Sequence, residues 1–391
     1  MKIRLHLKKI IALLSALLLL LALPVFAEEP SAPASEEKAA AMTLPCASAI
    51  LMDAATGEVL FEQNADEPLP PASVTKVMTL LLVMEAIEAG KISLSDTVTV
   101  STHAASMGGS QVYLKEGEGM TVEEMIKCVV IASANDCAVA LAEFTAGSEE
   151  NFVAAMNARA AELGMKNTRF ENTNGLDDTV TDHVTSARDI AIMSRQLISY
   201  PKILEYSGIW MDSIRDGAFG LTNTNRLVRF YPGCTGLKTG STARAGFCVS
   251  ATAERDGLSL ICVIMKADTR DIRNATAAKL LDYGFANYAT YRADAGERTL
   301  PLTGGVTPEL KVKWDAFCAT VKKGEAGQVQ STVELPESVA APVAAGDEVG
   351  SVVYTLNGTE VGRVPIVAVE GAERIGFATL FCRLLARFLL A

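Results

Sequence analysis

An α+β architecture is what this sequence predicts: an antiparallel sheet assembled from strands near both ends of one large domain, helices packed on it, and a small all-β domain behind. Three observations predict it. Strand-period segments at 47–62 and 235–266 bracket the large domain. Between them the period is helical, at 73–89, 121–131, 135–144, 150–163 and 185–199. Beyond Ala293 strand-like segments recur, until an apolar stretch closes the chain.

The first residues read as an export signal. Basic Lys2, Arg4, Lys8 and Lys9 precede a nearly unbroken apolar run, Ile10 to Leu23, which ends at Pro24-Val25-Phe26-Ala27. The run is short of the roughly 20 residues a membrane span needs, so cleavage after Ala27 is expected. Residues 28–45, rich in Glu, Pro, Ala, Ser and Lys, read as a disordered leader.

The expected catalytic domain is 46–292. Ser48–Met52 and Glu58–Phe61 flank a turn containing Thr56-Gly57 and form a hairpin. Pro68, Pro70 and Pro71 break the chain just before Ser73, where a helix opens and runs to Ala89, stopped by Gly90. Thr121 and Glu124 have capping-box spacing at the head of the next helix. Thr185-Ser186 caps the helix that follows them. Gly246–Ala253 and Leu258–Met265 flank Asp256-Gly257, a strong hairpin signal, and a helix from Asn274 to about Tyr288 ends the domain. Residues 293–372 read as the all-β domain, with Asn357-Gly358 turning between two of its strands. Residues 373–391 are apolar apart from a few polar positions, and Arg383 and Arg387 share one helical face. That pattern suits a helix lying in a membrane interface better than one docked on the protein or one spanning a bilayer.

Composition narrows the function. The net charge of −11 becomes −15 when the first 27 residues, with four of the 35 Lys and Arg, are removed. A chain this acidic lacks the clustered cations that bind phosphate backbones, which excludes nucleic acid as a partner. The eight cysteines show no CxxC or metal-ligand spacing, so they read as small buried hydrophobes, and no metal or cofactor is expected.

The chemistry is concentrated in three short motifs. Ser73-Val74-Thr75-Lys76 opens a helix, and at i, i+3 its hydroxyl and amine share one face. The helix N-terminus favours a developing alkoxide, and a lysine desolvated beside another cation can serve as base. His103 and His183 have no nucleophile-elbow context around any serine, so a Ser-His-Asp triad is not supported. Ser133-Ala134-Asn135, between two helices, offers a hydroxyl and an amide. Lys238-Thr239-Gly240 offers a second cation, a hydroxyl for a carboxylate, and a glycine that lets a substrate backbone approach.

This combination is the known signature of penicillin-binding proteins and class A β-lactamases. The chain resembles the D-alanyl-D-alanine carboxypeptidases, the low-molecular-mass penicillin-binding proteins of the S11 peptidase type. The resemblance rests on Pro71–Thr79, Ser133–Asp136, Asn174-Gly175-Leu176, Ser186–Asp189 and Gly236–Gly240, in family order. It implies a serine β-lactamase/transpeptidase-like fold over roughly 45–290. It implies that Ser73 attacks the bond between two D-alanines of a peptidoglycan pentapeptide and that Lys76 takes the serine proton. Ser133 and Lys238 would pass that proton to the leaving amine, and Asn135 would hold the acyl side chain. The backbone N–H groups of Ser73 and Ser241, the residue after Gly240, would form the oxyanion hole. Thr239 with Arg273, or less favourably Arg270, would bind the terminal carboxylate. The family further implies β-lactams as covalent inhibitors, no cofactor, and work at the extracytoplasmic face of the cell membrane. Thr235 departs from the pattern, since members often carry an acid there; neighbouring Cys234 reads as an inert thiol.

Three other readings stay open. A β-lactamase is disfavoured because no Glu-x-x-x-Asn element lies between Ser133 and Lys238. A D,D-endopeptidase shares the same site. A non-catalytic wall-binding or penicillin-sensing module would be expected to have lost Ser73 or Lys76.

Overall fold

The computed structural model describes residues 42–177 and 180–389. The expected signal and the leader up to residue 41 lie outside the described residues. Leu44, assigned to the leader, is 3% exposed, and its N–H donates to the Gln63 side chain at 2.9 Å. The packed body therefore includes that leucine, because burying it repays the cost of ordering the backbone.

Five antiparallel strands form the main sheet: β1 (Ser48–Asp53), β2 (Val59–Gln63), β3 (Cys234–Thr242), β4 (Gly246–Arg255) and β5 (Leu258–Ala267), in the spatial order β2-β1-β5-β4-β3. Strand β1, from the start of the domain, pairs along its whole length with β5 from its end. All six β1 residues are buried, which explains its continuous apolar run. Helix α4 (Ala187–Leu197) covers one face, where Ser194 bonds Ser250 at 2.8 Å. Helix α5 (Arg270–Asn287) covers the other, with Gly284 set against Leu51 and Leu260.

Helix α1 (Lys76–Glu88) is apolar nearly all round, and nine of its residues are buried. A helix of that pattern belongs in the interior, and it carries Lys76 inside with it. The expected capping box is present at the head of α2 (Val122–Lys127): Thr121 Oγ1 accepts the Glu124 N–H, and Glu124 accepts the Thr121 N–H, each at 3.2 Å. Helix α3 (Asn135–Ala146) follows a π-turn at Cys128–Ala132.

Three expectations shift. Ser73 lies on a 3₁₀ turn, Ala72–Thr75, ahead of α1 rather than in its first turn. Helix α5 begins at Arg270, four residues before the expected Asn274, because the Thr269 hydroxyl accepts the Ile272 N–H and caps it. Four cysteines are fully buried as expected, but Cys46, Cys234 and Cys318 are half-buried and Cys382 is exposed.

The β domain contains a six-stranded sheet, in the spatial order 330–334, 348–356, 359–368, 309–314, 296–303 and 339–340. Asn357 and Gly358 turn its central hairpin with φ of 52° and 81°, as a two-residue hairpin turn demands. Its core centres on Tyr354, stacked on Phe317 at 4.1 Å. A strand pair, Tyr288–Ala293 with Phe317–Lys322, adjoins the catalytic domain, where the Thr320 hydroxyl donates to Asp53 at 2.8 Å. Helix α6 (Phe377–Leu389) ends the described chain.

Candidate active site

The three motifs, 60 and 105 residues apart in sequence, meet at one cavity of about 600 Å³ between β3 and the Ala72–Thr75 turn. Ser73, Ser133, Thr239, Gly240, Ser241 and Arg273 line it. Lys76, Asn135 and Lys238 sit behind that lining, each almost fully buried.

Lys76 Nζ has three oxygen neighbours: Ser73 Oγ at 2.8 Å, Asn135 Oδ1 at 2.6 Å and the Asn174 carbonyl at 2.7 Å. A neutral amine has two N–H groups and one lone pair. In that form the two neighbours that accept only take both N–H groups, and the lone pair faces the Ser73 hydroxyl. Burial holds the Lys76 amine well below the ordinary lysine range, and the Lys238 charge lowers it further, against an opposing effect of Asp136. Lys238 is depressed to about 7 by burial and by the Arg273 charge, and its Nζ donates to the Thr239 carbonyl at 3.0 Å.

The nucleophile turn is over-determined by its neighbours. Ala72 has φ of 47°, an uncommon conformation for a residue with a side chain. The Gly175 Cα lies so close to the Ala72 carbonyl that no Cβ would fit there. Gly240 is equally constrained from the β3 side: a Cβ would stand 2.8 Å from Ser73 N and 2.7 Å from the Pro71 carbonyl. His183, set aside as a triad base, has a different place. Its Nδ1 accepts the Glu171 N–H at 3.0 Å, so Nε2 carries the proton and donates to Thr75 Oγ1 at 2.7 Å. Thr75 in turn donates to the Ala72 carbonyl at 2.9 Å. Burial depresses His183 to about 4, which keeps it neutral in this chain of bonds.

Ser133 has φ of 63° at the end of the π-turn, a conformation that turns its side chain toward the cavity. Asn135 Nδ2 donates to the Gly108 carbonyl at 2.7 Å, and its backbone N–H donates to the Ser110 carbonyl at 2.7 Å. The fully buried Asp136 carboxylate accepts the N–H groups of Val112, Leu114 and Cys137. Together they fix the strip that brings Ser110 to the cavity wall.

Sequence reasoning missed several lining residues: Ser110, Trp210, Thr224, Arg226 and Phe230. The Thr239 hydroxyl donates to Thr224 at 2.8 Å. The part of Asn174-Gly175-Leu176, whose role the sequence leaves open, is to accept from Lys76 and to make room for Ala72. Both arginines named as carboxylate candidates reach the cavity. Arg273 is 3% exposed and anchored by Asn274 Oδ1 and the Cys248 carbonyl, whereas Arg270 is exposed. Among the described residues no cluster of three or more His, Cys, Asp or Glu is placed to hold a metal.

Residues 34–269 match the family described as D-alanyl-D-alanine carboxypeptidase, peptidase S11. The chain belongs to that family. It is accordingly a serine-type D-alanyl-D-alanine carboxypeptidase, a hydrolase. Residues 309–374 match the C-terminal domain of penicillin-binding protein 5. The carboxypeptidase is 41% identical to D-alanyl-D-alanine carboxypeptidase DacF of Bacillus subtilis, over 95% of this chain and 97% of that protein. It is 35% identical to DacC of Escherichia coli, over 90% of each. Its fold is similar to penicillin-binding protein 5 of Haemophilus influenzae, with TM-score 0.74 and 30% identity, over 85% of this chain and 99% of that one. Penicillin-binding protein D2 of Listeria monocytogenes, solved with cefotaxime bound, is similar over 62% of this chain and 99% of that one, with TM-score 0.58 and 32% identity.

Proposed function

We propose that this carboxypeptidase releases the terminal D-alanine of peptidoglycan pentapeptides through an acyl-enzyme on Ser73. The observation that carries this reading is the buried, charge-depressed Lys76 amine 2.8 Å from Ser73 Oγ. Lys76 removes the hydroxyl proton as Oγ bonds to the penultimate D-alanine carbonyl carbon. The oxyanion gathers on the N–H groups of Ser73 and Ser241, which flank the Gly240 contact. When the C–N bond breaks, the leaving amine takes a proton delivered by way of Ser133 and Lys238. Water then hydrolyses the ester and restores Ser73. Asn135 holds the acyl side while keeping Lys76 oriented, and Thr239 with Arg273 takes the terminal carboxylate.

The test is mass spectrometry of the mature protein with benzylpenicillin and, separately, with diacetyl-Lys-D-Ala-D-Ala. A penicilloyl adduct on Ser73 together with free D-alanine is expected. An adduct without D-alanine release would move the function to endopeptidase or sensor, and no adduct on folded protein would sink the reading.

In this proposal the chain is exported by residues 1–27, the domain boundary lies near 292, and α6 lies on the extracytoplasmic membrane surface. The support for α6 is its apolar side left in solvent: Phe377 is 83%, Phe381 55%, Leu384 60% and Phe388 83% exposed. Among the described residues no helix is long and apolar enough to cross a membrane. Removing residues 374–391 should release the protein from anionic vesicles in a flotation assay; unchanged flotation would count against the tail as anchor.

A further inference from the structure

The cavity carries more positive charge than a single terminal carboxylate requires. Its lining includes Arg226, Arg270 and Arg273 and no Asp or Glu. Arg273 is buried and already tied to Asn274 and Cys248. The guanidinium groups of Arg226 and Arg270 make no ion pair or hydrogen bond among the described residues, although the protein as a whole is acidic.

Their positions converge. Arg270 and Arg273 are i, i+3 on α5 and share one side of it. Arg270 stands in the first turn, the positive end of the helix dipole, where a cation is disfavoured and an anion is welcome. Arg226 lies two residues after Thr224, the residue that accepts from the Thr239 hydroxyl. The charges of Arg270 and Arg226 both act on Arg273, which places all three within electrostatic reach. Trp210 and Phe230, with ring centroids 6.1 Å apart, line the same cavity. Its roughly 600 Å³ suits a ligand well beyond one alanine.

We propose that Arg226 and Arg270 bind a second carboxylate on the leaving-group side, so that this enzyme prefers D-alanyl bonds to an amino acid bearing an additional acid group. The inference rests on the reading that Thr239 and Arg273 face the departing residue. The bonds made and broken at Ser73 are unchanged; only the departing amine differs.

The experiment compares kcat/KM of the mature full chain for diacetyl-Lys-D-Ala-D-Glu and its neutral counterpart diacetyl-Lys-D-Ala-D-Gln, with D-Ala-D-Ala as reference. A preference for D-Glu of about tenfold or more is expected from one charge-assisted pairing. It should shrink in 1 M salt, which screens exposed charges. In the doubly substituted Arg226→Gln, Arg270→Gln protein, checked for an unchanged thermal midpoint, the ratio should fall toward one. The conservative Arg226→Lys protein should keep part of the preference, a result that a purely structural role would not give. Equal rates for D-Glu and D-Gln, or a ratio untouched by the double substitution, would overturn the proposal while leaving D-Ala-D-Ala hydrolysis intact. Absence of D-alanine release from the reference peptide would instead remove the reading on which it rests.

Discussion

Gly240→Ala tests whether the spacing between β3 and the nucleophile turn is what makes the oxyanion site. The added methyl would lie 2.7 Å from the Pro71 carbonyl, 2.8 Å from Ser73 N and 2.9 Å from Val74 N. All three are backbone atoms, so no side chain can swing away. Reaching an ordinary contact of 3.4 Å means widening the gap by about 0.7 Å. The oxyanion donors must sit within roughly 2.7–3.1 Å of one atom, so the Ser73 and Ser241 N–H groups would no longer converge on it. Loss of one such donor costs about 10²–10³ in kcat, and a displacement near 1 Å about 10². The expected result is a fall of about 10²-fold in both peptide kcat and the rate of penicillin acylation. KM should change little, because the lost interaction belongs to the transition state. Stopped-flow acylation with a chromogenic β-lactam, normalised to folded protein by circular dichroism, reads it directly. Acylation within about threefold of wild type would refute the reasoning.

Two further substitutions probe the buried titratable groups. Lys238 ionises near 7 in the fold against 10.5 for an ordinary lysine, so the unfolded chain binds more protons between those values. The resulting penalty is full below about pH 7 and fades as pH rises toward 10.5. Lys238→Met should therefore abolish turnover yet raise stability at pH 6 by about 2–4 kcal/mol, and should flatten the rise in midpoint on the alkaline side, as followed by denaturant unfolding. His183 ionises near 4 in the fold against 6.5 for the ordinary group, so stability is lost as pH falls from about 6.5 to 4, to a total of about 3 kcal/mol. His183→Ala should remove that acid-side slope. It should also lower kcat for acylation, because Thr75 loses the His183 Nε2–H bond that holds it against the Ala72 carbonyl, whereas an unaltered acid limb of the stability profile would show that His183 is not the group responsible.

Much of this site could be read from the sequence because its chemistry sits in contiguous motifs whose spacing is local. Ser73 and Lys76 are three residues apart and meet even though a 3₁₀ turn carries the serine, Thr239 and Gly240 share an edge strand, and Asp256-Gly257 turns the hairpin between β4 and β5. What escaped is set by contacts between distant segments. Nothing near Ala72 announces its positive φ, which the fit against Gly175 imposes. His183 lay among unremarkable neighbours, and only folding brings it to Thr75. The hairpin Met211–Ile214 with Phe219–Thr222 was missed because its strands are four residues each and poor in apolar alternation. Arg226 lies just beyond that hairpin, and no motif in the sequence marks it. The early start of α5 did have a signal in the sequence: Thr269 followed by Asp271 is an N-cap with an acidic first turn.

The pairing of β1 with β5 sets when the enzyme can come into being. Residues 48–53 are among the first of the folded body to be synthesised, yet their long partner lies at 258–267. Such distant pairing makes for slow closure, since loop entropy is spent before the contact is made. Until that closure, the β5-β4-β3 meander is not joined to β1, and Gly240 and Ser241 have no fixed place opposite Ser73. A partly made chain therefore carries its nucleophile and its base but no completed site. Catalytic competence arrives with the last strands of the sheet, as a property of the finished topology.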